Sequence, residues 1–243
     1  MVLHVHGFAE ELNKCRRMTA LMARELAMNG WAVLQIDLLG CGDSSAEFRQ
    51  ADWTQWIEDV RAGYRWMRAR YQGPSWIWGL RAGCLIGVEA MAGIEGANFL
   101  FWQPVHSGRQ HLTQFLRMKL ANEMLGSTVA RSGTSALRGK VLAGETLEIA
   151  GYELSSGLAA GLDRAELNIP AGSRTKVIWL EVSPGEPAAL LPISLNTIAR
   201  FQDQGRFVRT GAVSGSPFWQ TVEITECPAL LEETLKALSE ATP

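Results

Sequence analysis

The sequence predicts an α/β protein whose mostly parallel sheet carries helices on both faces. Short apolar segments alternate with longer segments of helical spacing, as expected for parallel strands joined by crossover helices. The 243 residues suffice for one α/β domain with a full-sized core. Apolar residues make up 47% and charged residues 20% of the chain, which is typical of a soluble globular protein.

The strands and helices follow in a regular order. Strands are expected at 2–5, 31–36, 75–78, 98–102, 176–181 and 206–210. Helices are expected at 14–29, 51–71, 83–92, 193–203 and 227–240. Turn residues close the first two helices, at Asn29-Gly30 and at Gly73-Pro74. Because an apolar strand begins at residue 2, we expect earlier strands of the sheet to be missing from this sequence.

Residues 107–172 interrupt this order. They contain a predicted helix at 110–125, a Gly/Ser/Thr/Arg-rich stretch at 126–139, a strand pair within 140–154 and a short helix at 155–162. We therefore predict a core in two halves, 1–106 and 173–243, with residues 107–172 inserted as a lid.

Composition excludes several classes of function. The net charge is −2, and no basic stretch is interleaved with aromatic residues, so no nucleic-acid partner is expected. No apolar run approaches the ~20 residues of a membrane-spanning helix. The four cysteines lack the spacing of a zinc site or of a disulfide framework, which favours reduced thiols and a cytoplasmic location. His4 and His6 share one strand face, but further ligands are lacking, so neither a metal nor a cofactor is predicted.

The segment 75–88 has the pattern of a nucleophile elbow. A buried strand runs into Gly79-Leu80-Arg81-Ala82-Gly83, and a helix of small residues follows. In the α/β-hydrolase fold, such a turn presents its middle side chain at the top of the sheet. That residue is normally Ser, Cys or Asp, whereas here it is Arg81. A guanidinium is always protonated and cannot attack a carbonyl, but it can hold an anion bidentately.

The sequence also offers no clear residue for the other two positions of a catalytic triad, the acid and the histidine base. In this fold the acid and then a late histidine follow the nucleophile. The last histidine of the chain is His111, and the late loop 214–219 offers only hydroxyl and aromatic side chains. The loop after Glu181 offers Glu186 at best as the acid. The chain is therefore predicted to be inactive as a serine hydrolase.

Several blocks resemble the exosortase A system-associated hydrolase 2 family. They are 8–18 (Phe-Ala-Glu-Glu-Leu-Asn-Lys-Cys-Arg-Arg-Met), 37–44 (Asp-Leu-Leu-Gly-Cys-Gly-Asp-Ser), 78–83 (Trp-Gly-Leu-Arg-Ala-Gly), 101–105 (Phe-Trp-Gln-Pro-Val), 150–154 and 217–219. The resemblance covers nearly the whole chain. It implies an α/β-hydrolase fold, arginine as the usual elbow residue, and a setting among bacterial exopolysaccharide and PEP-CTERM protein-sorting genes. One departure is His6-Gly7, the His-Gly that opens many oxyanion loops.

The candidate ligand-binding residues surround the elbow. They are Arg81, Ala82, His6, Gly7, Phe8, Glu10, Glu11, Asp43 and Gln103. Glu10 or Glu11, expected in the loop opposite the elbow, could close the site by pairing with Arg81. Alternatively, Arg81 stays free for a carboxylate or phosphate, assisted by the backbone N–H groups of Phe8 and Ala82. Asp43 and Gln103 should end neighbouring strands and line the same crevice.

Three hypotheses of function remain open. The first is a non-hydrolytic protein that binds an acyl, glycan or anionic ligand, or a partner protein. The second is an active esterase, thioesterase or acyl transferase that uses Cys84, or His6 with Glu10, although a buried core thiol is the more ordinary role for Cys84. The third is an interaction protein, for which open sheet edges would favour a homodimer.

Overall fold

A six-stranded parallel sheet forms the centre of the molecule. The structure is a computed structural model that describes residues 1–125, 133–170 and 175–242, with residues 122–125 described by their backbone alone. The strands are β1 Val2–Val5, β2 Val33–Gln35, β3 Ser75–Leu80, β4 Ala97–Trp102, β5 Leu147–Ile149, β6 Tyr152–Leu154, β7 Val177–Ser183 and β8 Val208–Ser214. The helices are α1 Glu10–Met28, α2 Trp53–Arg68, α3 Gly83–Ala90, α4 Gly108–Leu125, α5 Thr134–Leu142, α6 Ser156–Arg164, α7 Pro192–Asp203 and α8 Pro228–Ala241.

The strand order confirms the predicted fold class. The sheet runs β2-β1-β3-β4-β7-β8, and every neighbouring pair is parallel. The chain therefore moves to one side of β1 for β2, and to the other side for all later strands. Ligands of open α/β sheets bind where the order reverses, at the carboxyl ends of the strands. Here that point lies between the loops that follow β1 and β3.

Alternate side chains of the strands supply two apolar layers. On one face, Leu3, Ile77 and Phe101 pack with α2, α3 and α7. On the other face, residues such as Trp76 and Leu100 pack with α1 and α8. Because both faces are covered, the central strands are apolar throughout, which explains why they read as continuous apolar runs in the sequence.

Several element boundaries differ from the prediction, and the largest differences are at α1, α5 and β8. Helix α1 begins at Glu10, so Glu10 and Glu11 lie in its first turn and not in a loop; acidic side chains are favoured there by the helix dipole. Helix α5 ends at Leu142, where a strand was expected, so only Leu147–Ile149 and Tyr152–Leu154 form the antiparallel hairpin. Strand β8 continues to Ser214, four residues beyond its predicted end at residue 210. Of the stretch 126–139, residues 126–132 lie outside the described part of the chain.

The described residues of the segment 107–172 pack on the core through their helices. Helix α4 contacts α5 and α6, and α6 contacts α2. The boundaries of a lid at 107 and 172 stay a prediction. Within the described residues, no helix is both long and apolar enough to cross a membrane.

The elbow depends on two glycines. A Cβ on Gly79 would lie 2.6 Å from the Cα of Cys84, where β3 turns into α3. A Cβ on Gly83 would collide with the carbonyl oxygens of Val5 and His6. The N-terminus of α3 can therefore approach the end of β1 only because residue 83 has no side chain.

Gly83→Ala is expected to lower the free energy of unfolding by about 3 kcal/mol, because the methyl group meets backbone atoms that cannot move aside. Urea unfolding measures this effect. The matched control is Gly139→Ala, in the exposed face of α5 with no atom near its added Cβ, which should raise stability by about 0.5–1 kcal/mol. Equal effects at the two positions would contradict the proposed close approach.

Candidate functional site

Residue 81 occupies the apex of a strand-to-helix corner. Arg81 has φ 54°, in the left-handed region that non-glycine residues rarely adopt. Its N–H donates to the carbonyl of Trp102 at 3.0 Å, and its carbonyl accepts from the N–H of Cys84 at 3.1 Å. These bonds to β4 and α3 hold the strained conformation, as expected at a nucleophile elbow.

The guanidinium of Arg81 is paired and also faces a cavity. Its Nε donates to Oε1 of Glu11 at 3.0 Å, and the two side chains are only 16% and 17% exposed. Its Nη1 donates to the carbonyl of Gln103 at 3.4 Å. Its Cζ lies 5.3 Å from the ring centroid of Trp219. Nη2 has no hydrogen-bond acceptor in the described part of the chain. The sequence left open whether an acidic residue pairs with Arg81, and the structure shows that Glu11 does.

A cavity of about 320 Å³ opens above the elbow. Its polar surface comes from α1, the elbow and α4, and its apolar walls come from the loop after β1, α4 and the loop after β8. The lining residues are Phe8, Glu10, Glu11, Lys14, Arg81, His111, Gln114, Phe115, Met118, Trp219 and Gln220. This volume is at the lower end of the range for small-molecule sites.

The cavity contains an incompletely paired carboxylate and imidazole. Oε2 of Glu11 is buried and accepts no hydrogen bond from any described residue, and Nδ1 of His111 is equally unpartnered. Nε2 of His111 lies 3.8 Å from that Oε2, which is too far for a hydrogen bond. Burial is the main effect on His111 and lowers its pKa, while Glu11 raises it and Arg81 lowers it further.

Two backbone donors at the elbow also lack an acceptor. The N–H groups of Phe8 and Ala82 make no hydrogen bond to any described residue, although these residues are only 2% and 0% exposed. Buried N–H groups are nearly always paired, so an unpaired set at a helix N-terminus is a natural place for an anion. These are the two donors that the sequence predicted.

The loop after β8 and the end of β7 are the other positions considered for members of a catalytic triad. The loop after β8 contributes Trp219 where this fold places its general base, so an aromatic ring stands beside the guanidinium. Glu181 is buried within β7, where it accepts from Nε1 of Trp179 and from the N–H of Leu191, both at 2.8 Å. Glu186 is exposed.

A serine and a histidine do meet elsewhere, but not as a catalytic pair. Nε2 of His106 lies 3.1 Å from Oγ of Ser194, and that hydroxyl donates to Glu181. Ser194 is fully buried, and its proton is directed at the carboxylate and not at the imidazole. The arrangement ties the loop after β4 to the first turn of α7, and sequence reasoning missed it because the residues are far apart in the chain.

Four of the predicted binding residues line the cavity, namely Arg81, Phe8, Glu10 and Glu11. Ala82 lies beneath it, fully buried. Asp43 is exposed and outside the lining, with its N–H bonded to Asp37. The side chain of Gln103 turns towards β7, where Oε1 accepts from the N–H of Val182 at 2.8 Å.

The remaining candidates hold loops in place. Nδ1 of His6 lies 2.7 Å from the carbonyl of Gly7, and Nε2 accepts from the N–H of Leu38 at 3.2 Å, so both ring nitrogens are used. Nδ1 of His4 similarly contacts the carbonyl of Trp78 at 3.1 Å. Neither histidine belongs to a cluster of three or more metal-ligating side chains within the described residues.

Cys84 is not an activated thiol. It is fully buried, and burial is the dominant effect, which raises its pKa well above the usual range despite the nearby Arg81. The thiol is therefore neutral and inaccessible, which removes the cysteine nucleophile considered from the sequence.

Sequence reasoning did not include the four cavity residues of α4 among the candidates. They are His111, Gln114, Phe115 and Met118. The only signal was the amphipathic pattern of 110–125, which predicts a buried helix face without indicating what that face covers.

Comparisons with known proteins agree with the fold. Residues 1–153 match the family described as serine aminopeptidase, S33. The esterase Est1E from Butyrivibrio proteoclasticus, solved with ferulic acid, superposes with a TM-score of 0.57 at 14% identity, covering 98% of this chain and 89% of that one. A structure from work on the metagenome-derived lipolytic enzymes LipS and LipT gives 0.53 at 17% identity, covering 98% and 93%. Mouse alpha/beta hydrolase domain-containing protein 10 gives 0.55 at 12% identity, covering 99% and 88%. No curated protein is significantly similar in sequence.

The buried histidines make stability depend on pH. Burial lowers the pKa of His4 from 6.5 to about 3, so the unfolded chain binds a proton that the folded chain refuses. The stability from this group is complete above pH 6.5 and is lost as pH falls towards 3. At pH 5 the loss is about 2 kcal/mol from His4 alone. Urea unfolding near pH 8 and pH 5 should show it, and His4→Gln should reduce the difference by that amount; an unchanged difference would refute the assignment.

The Arg81–Glu11 pair should show strong coupling. Arg81→Met leaves the Glu11 carboxylate without its cation and should cost about 3 kcal/mol of stability, whereas adding Glu11→Gln should recover part of it. A double-mutant cycle should give a coupling energy of roughly 1–3 kcal/mol. The control is Arg61–Glu58, an exposed pair at 2.8 Å on α2, where about 0.5 kcal/mol is expected. Similar coupling in both cycles would mean that burial adds nothing to the elbow pair.

Proposed function

The chain belongs to the serine aminopeptidase (S33) family, and from its arginine elbow we propose that it binds an acyl or anionic ligand and does not hydrolyse esters. The observation that carries this proposal is the position of Arg81. A permanently charged guanidinium stands at the corner that would hold a nucleophile, and it faces a cavity of small-molecule size.

The chemistry of the neighbouring groups supports binding over turnover. Acyl transfer requires an electron-pair donor and a base to take its proton. Arg81, at the apex, donates hydrogen bonds but supplies no electron pair for attack. The ring that lies beside it belongs to Trp219 and is not a base. Cys84 is buried as a neutral thiol, and both ring nitrogens of His6 are occupied by the backbone.

The same groups suit a carboxylate with an apolar body. Nη2 of Arg81 and the N–H groups of Phe8 and Ala82 are donors without acceptors in the described structure. Together they could hold the oxygens of a carboxylate, while Phe115, Met118 and Trp219 offer apolar surface to the remainder of the ligand. Charge-assisted bonds of this type are about twice as strong as neutral ones.

The sequence blocks that resemble the exosortase A-associated hydrolase 2 family suggest the setting. We place the protein in the exosortase and exopolysaccharide system of a bacterial cytoplasm, as a binding protein with a degenerate triad. We also propose that the protein forms a homodimer. The alternative is an active esterase, thioesterase or acyl transferase, which the family assignment favours and which would need a nucleophile other than Cys84.

Turnover and binding can be tested separately. The wild-type protein should show no hydrolysis of p-nitrophenyl esters and thioesters, from acetyl to decanoyl, above a heat-denatured sample. Clear hydrolysis by the wild-type protein that is also seen with the Arg81→Ala variant would contradict the proposal.

Binding should be followed by quenching of Trp219 fluorescence with sodium octanoate and with ferulate, and Trp219→Phe identifies the reporter. Arg81→Gln should weaken octanoate binding at least tenfold, because it removes the charge that pairs with the carboxylate. Arg65→Gln removes the same charge from the exposed face of α2 and should leave the affinity unchanged. Equal affinities for the two variants would exclude Arg81 as the binding group.

A further inference from the structure

The charges around the cavity are already balanced. Arg81 is paired with Glu11 at 3.0 Å, and Lys14 is paired with Glu10 at 3.6 Å. His111 is neutral, because burial lowers its pKa. Cys15, which faces Glu11, is also neutral, since burial raises its pKa. An anion entering this cavity therefore adds a negative charge that no charged side chain of the described lining compensates, beside a pair whose side chains are only 16% and 17% exposed.

A carboxylate and an imidazole lie close together in the cavity without a hydrogen bond between them. Oε2 of Glu11 is buried and accepts no hydrogen bond from the described residues, and Nε2 of His111 lies 3.8 Å from it. A shift of about 1 Å would bring the two within hydrogen-bond distance. Both groups are therefore placed to share a proton once Glu11 is released from Arg81.

From this arrangement we infer that the site takes a monocarboxylate together with one proton. The ligand carboxylate replaces Glu11 against Arg81, and the released Glu11 turns to His111. The Glu11–His111 pair takes up the proton, so that the cavity stays neutral. This inference rests on the proposed function, since it specifies how the same cavity binds its ligand.

The direction of the electrostatic change supports the proton uptake. Arg81 lowers the pKa of His111 and Glu11 raises it. A bound carboxylate cancels the charge of Arg81, which leaves the effect of Glu11 unopposed. Because the two groups interact closely, the proton belongs to the pair and not to either residue alone.

The balance of charge in the cavity also restricts the class of ligand that can bind. One guanidinium and one proton compensate a single negative charge, so a phosphate dianion would remain partly uncompensated. The walls formed by Phe8, Phe115, Met118 and Trp219 favour an apolar chain or ring over a sugar or a nucleotide. The ligand is thus an aliphatic or aromatic monocarboxylate small enough for about 320 Å³.

Isothermal titration calorimetry with sodium octanoate measures the proton directly. Near pH 7, the apparent enthalpy in phosphate and in Tris should differ by the difference of their ionisation enthalpies, corresponding to about one proton taken up per ligand. The affinity should fall about tenfold per pH unit between about pH 7 and 8. Octanamide, which has no charge, should bind without either effect.

Glu11→Gln and Glu25→Gln form a matched pair that locates the proton. Glu11→Gln frees Arg81, so octanoate should bind at least tenfold more tightly near pH 8, with no proton uptake and little pH dependence. Glu25→Gln removes the same charge from the same helix at a position outside the cavity lining, and should keep the uptake of one proton. Uptake of one proton that persists in Glu11→Gln would overturn the assignment.

The outcomes separate the inference from the function on which it rests. Octanoate binding to the wild-type protein without proton uptake would contradict the inference but would remain consistent with the proposed function. No binding of octanoate at millimolar concentration would remove both. If Glu11→Gln does not fold, the dependence of the wild-type binding enthalpy on the buffer still shows whether a proton is taken up.

Discussion

The left-handed backbone at residue 81 is the constraint on which the site depends. It holds an arginine at the corner between β3 and α3, where the Trp102 carbonyl and the Cys84 N–H fix it. The corner itself requires Gly79 and Gly83, since a Cβ on either would meet backbone atoms. The corner thus has the costly backbone geometry of a nucleophile elbow, with a cation at its apex.

The cation at the elbow apex determines the electrostatics of its neighbourhood. A guanidinium in a largely buried place requires a counter-charge, and Glu11 in the first turn of α1 supplies it. That carboxylate in turn approaches His111 of the inserted helix α4. The three side chains come from three separate parts of the chain. The pairing of Arg81 with Glu11 balances their charges in the cavity.

Much of the site could be read from the sequence because it lies within local motifs. The elbow glycines, the absence of a histidine after His111, and the donors of Phe8 and Ala82 all follow from short stretches with a known geometry. The start of α1 could not be fixed in this way, since Phe8 to Asn13 suits either a loop or a capped first turn. Gln103 directly follows β4 as expected, but Asp43 lies well beyond the end of β2, which is not adjacent to β4, so the two do not end neighbouring strands. The direction of a side chain after a strand depends on neighbours that the sequence does not identify.

The sequence by itself determined the fold class and the cationic residue at the elbow apex, because these depend on periodicity, on glycine positions and on residue types. Only the tertiary structure decided which acidic residue pairs with Arg81, that Trp219 stands beside it, and that α4 closes the cavity with His111 and Phe115. Those facts depend on how distant segments pack against one another. Packing is set by the shapes and distances of many side chains at once, and no local pattern encodes it.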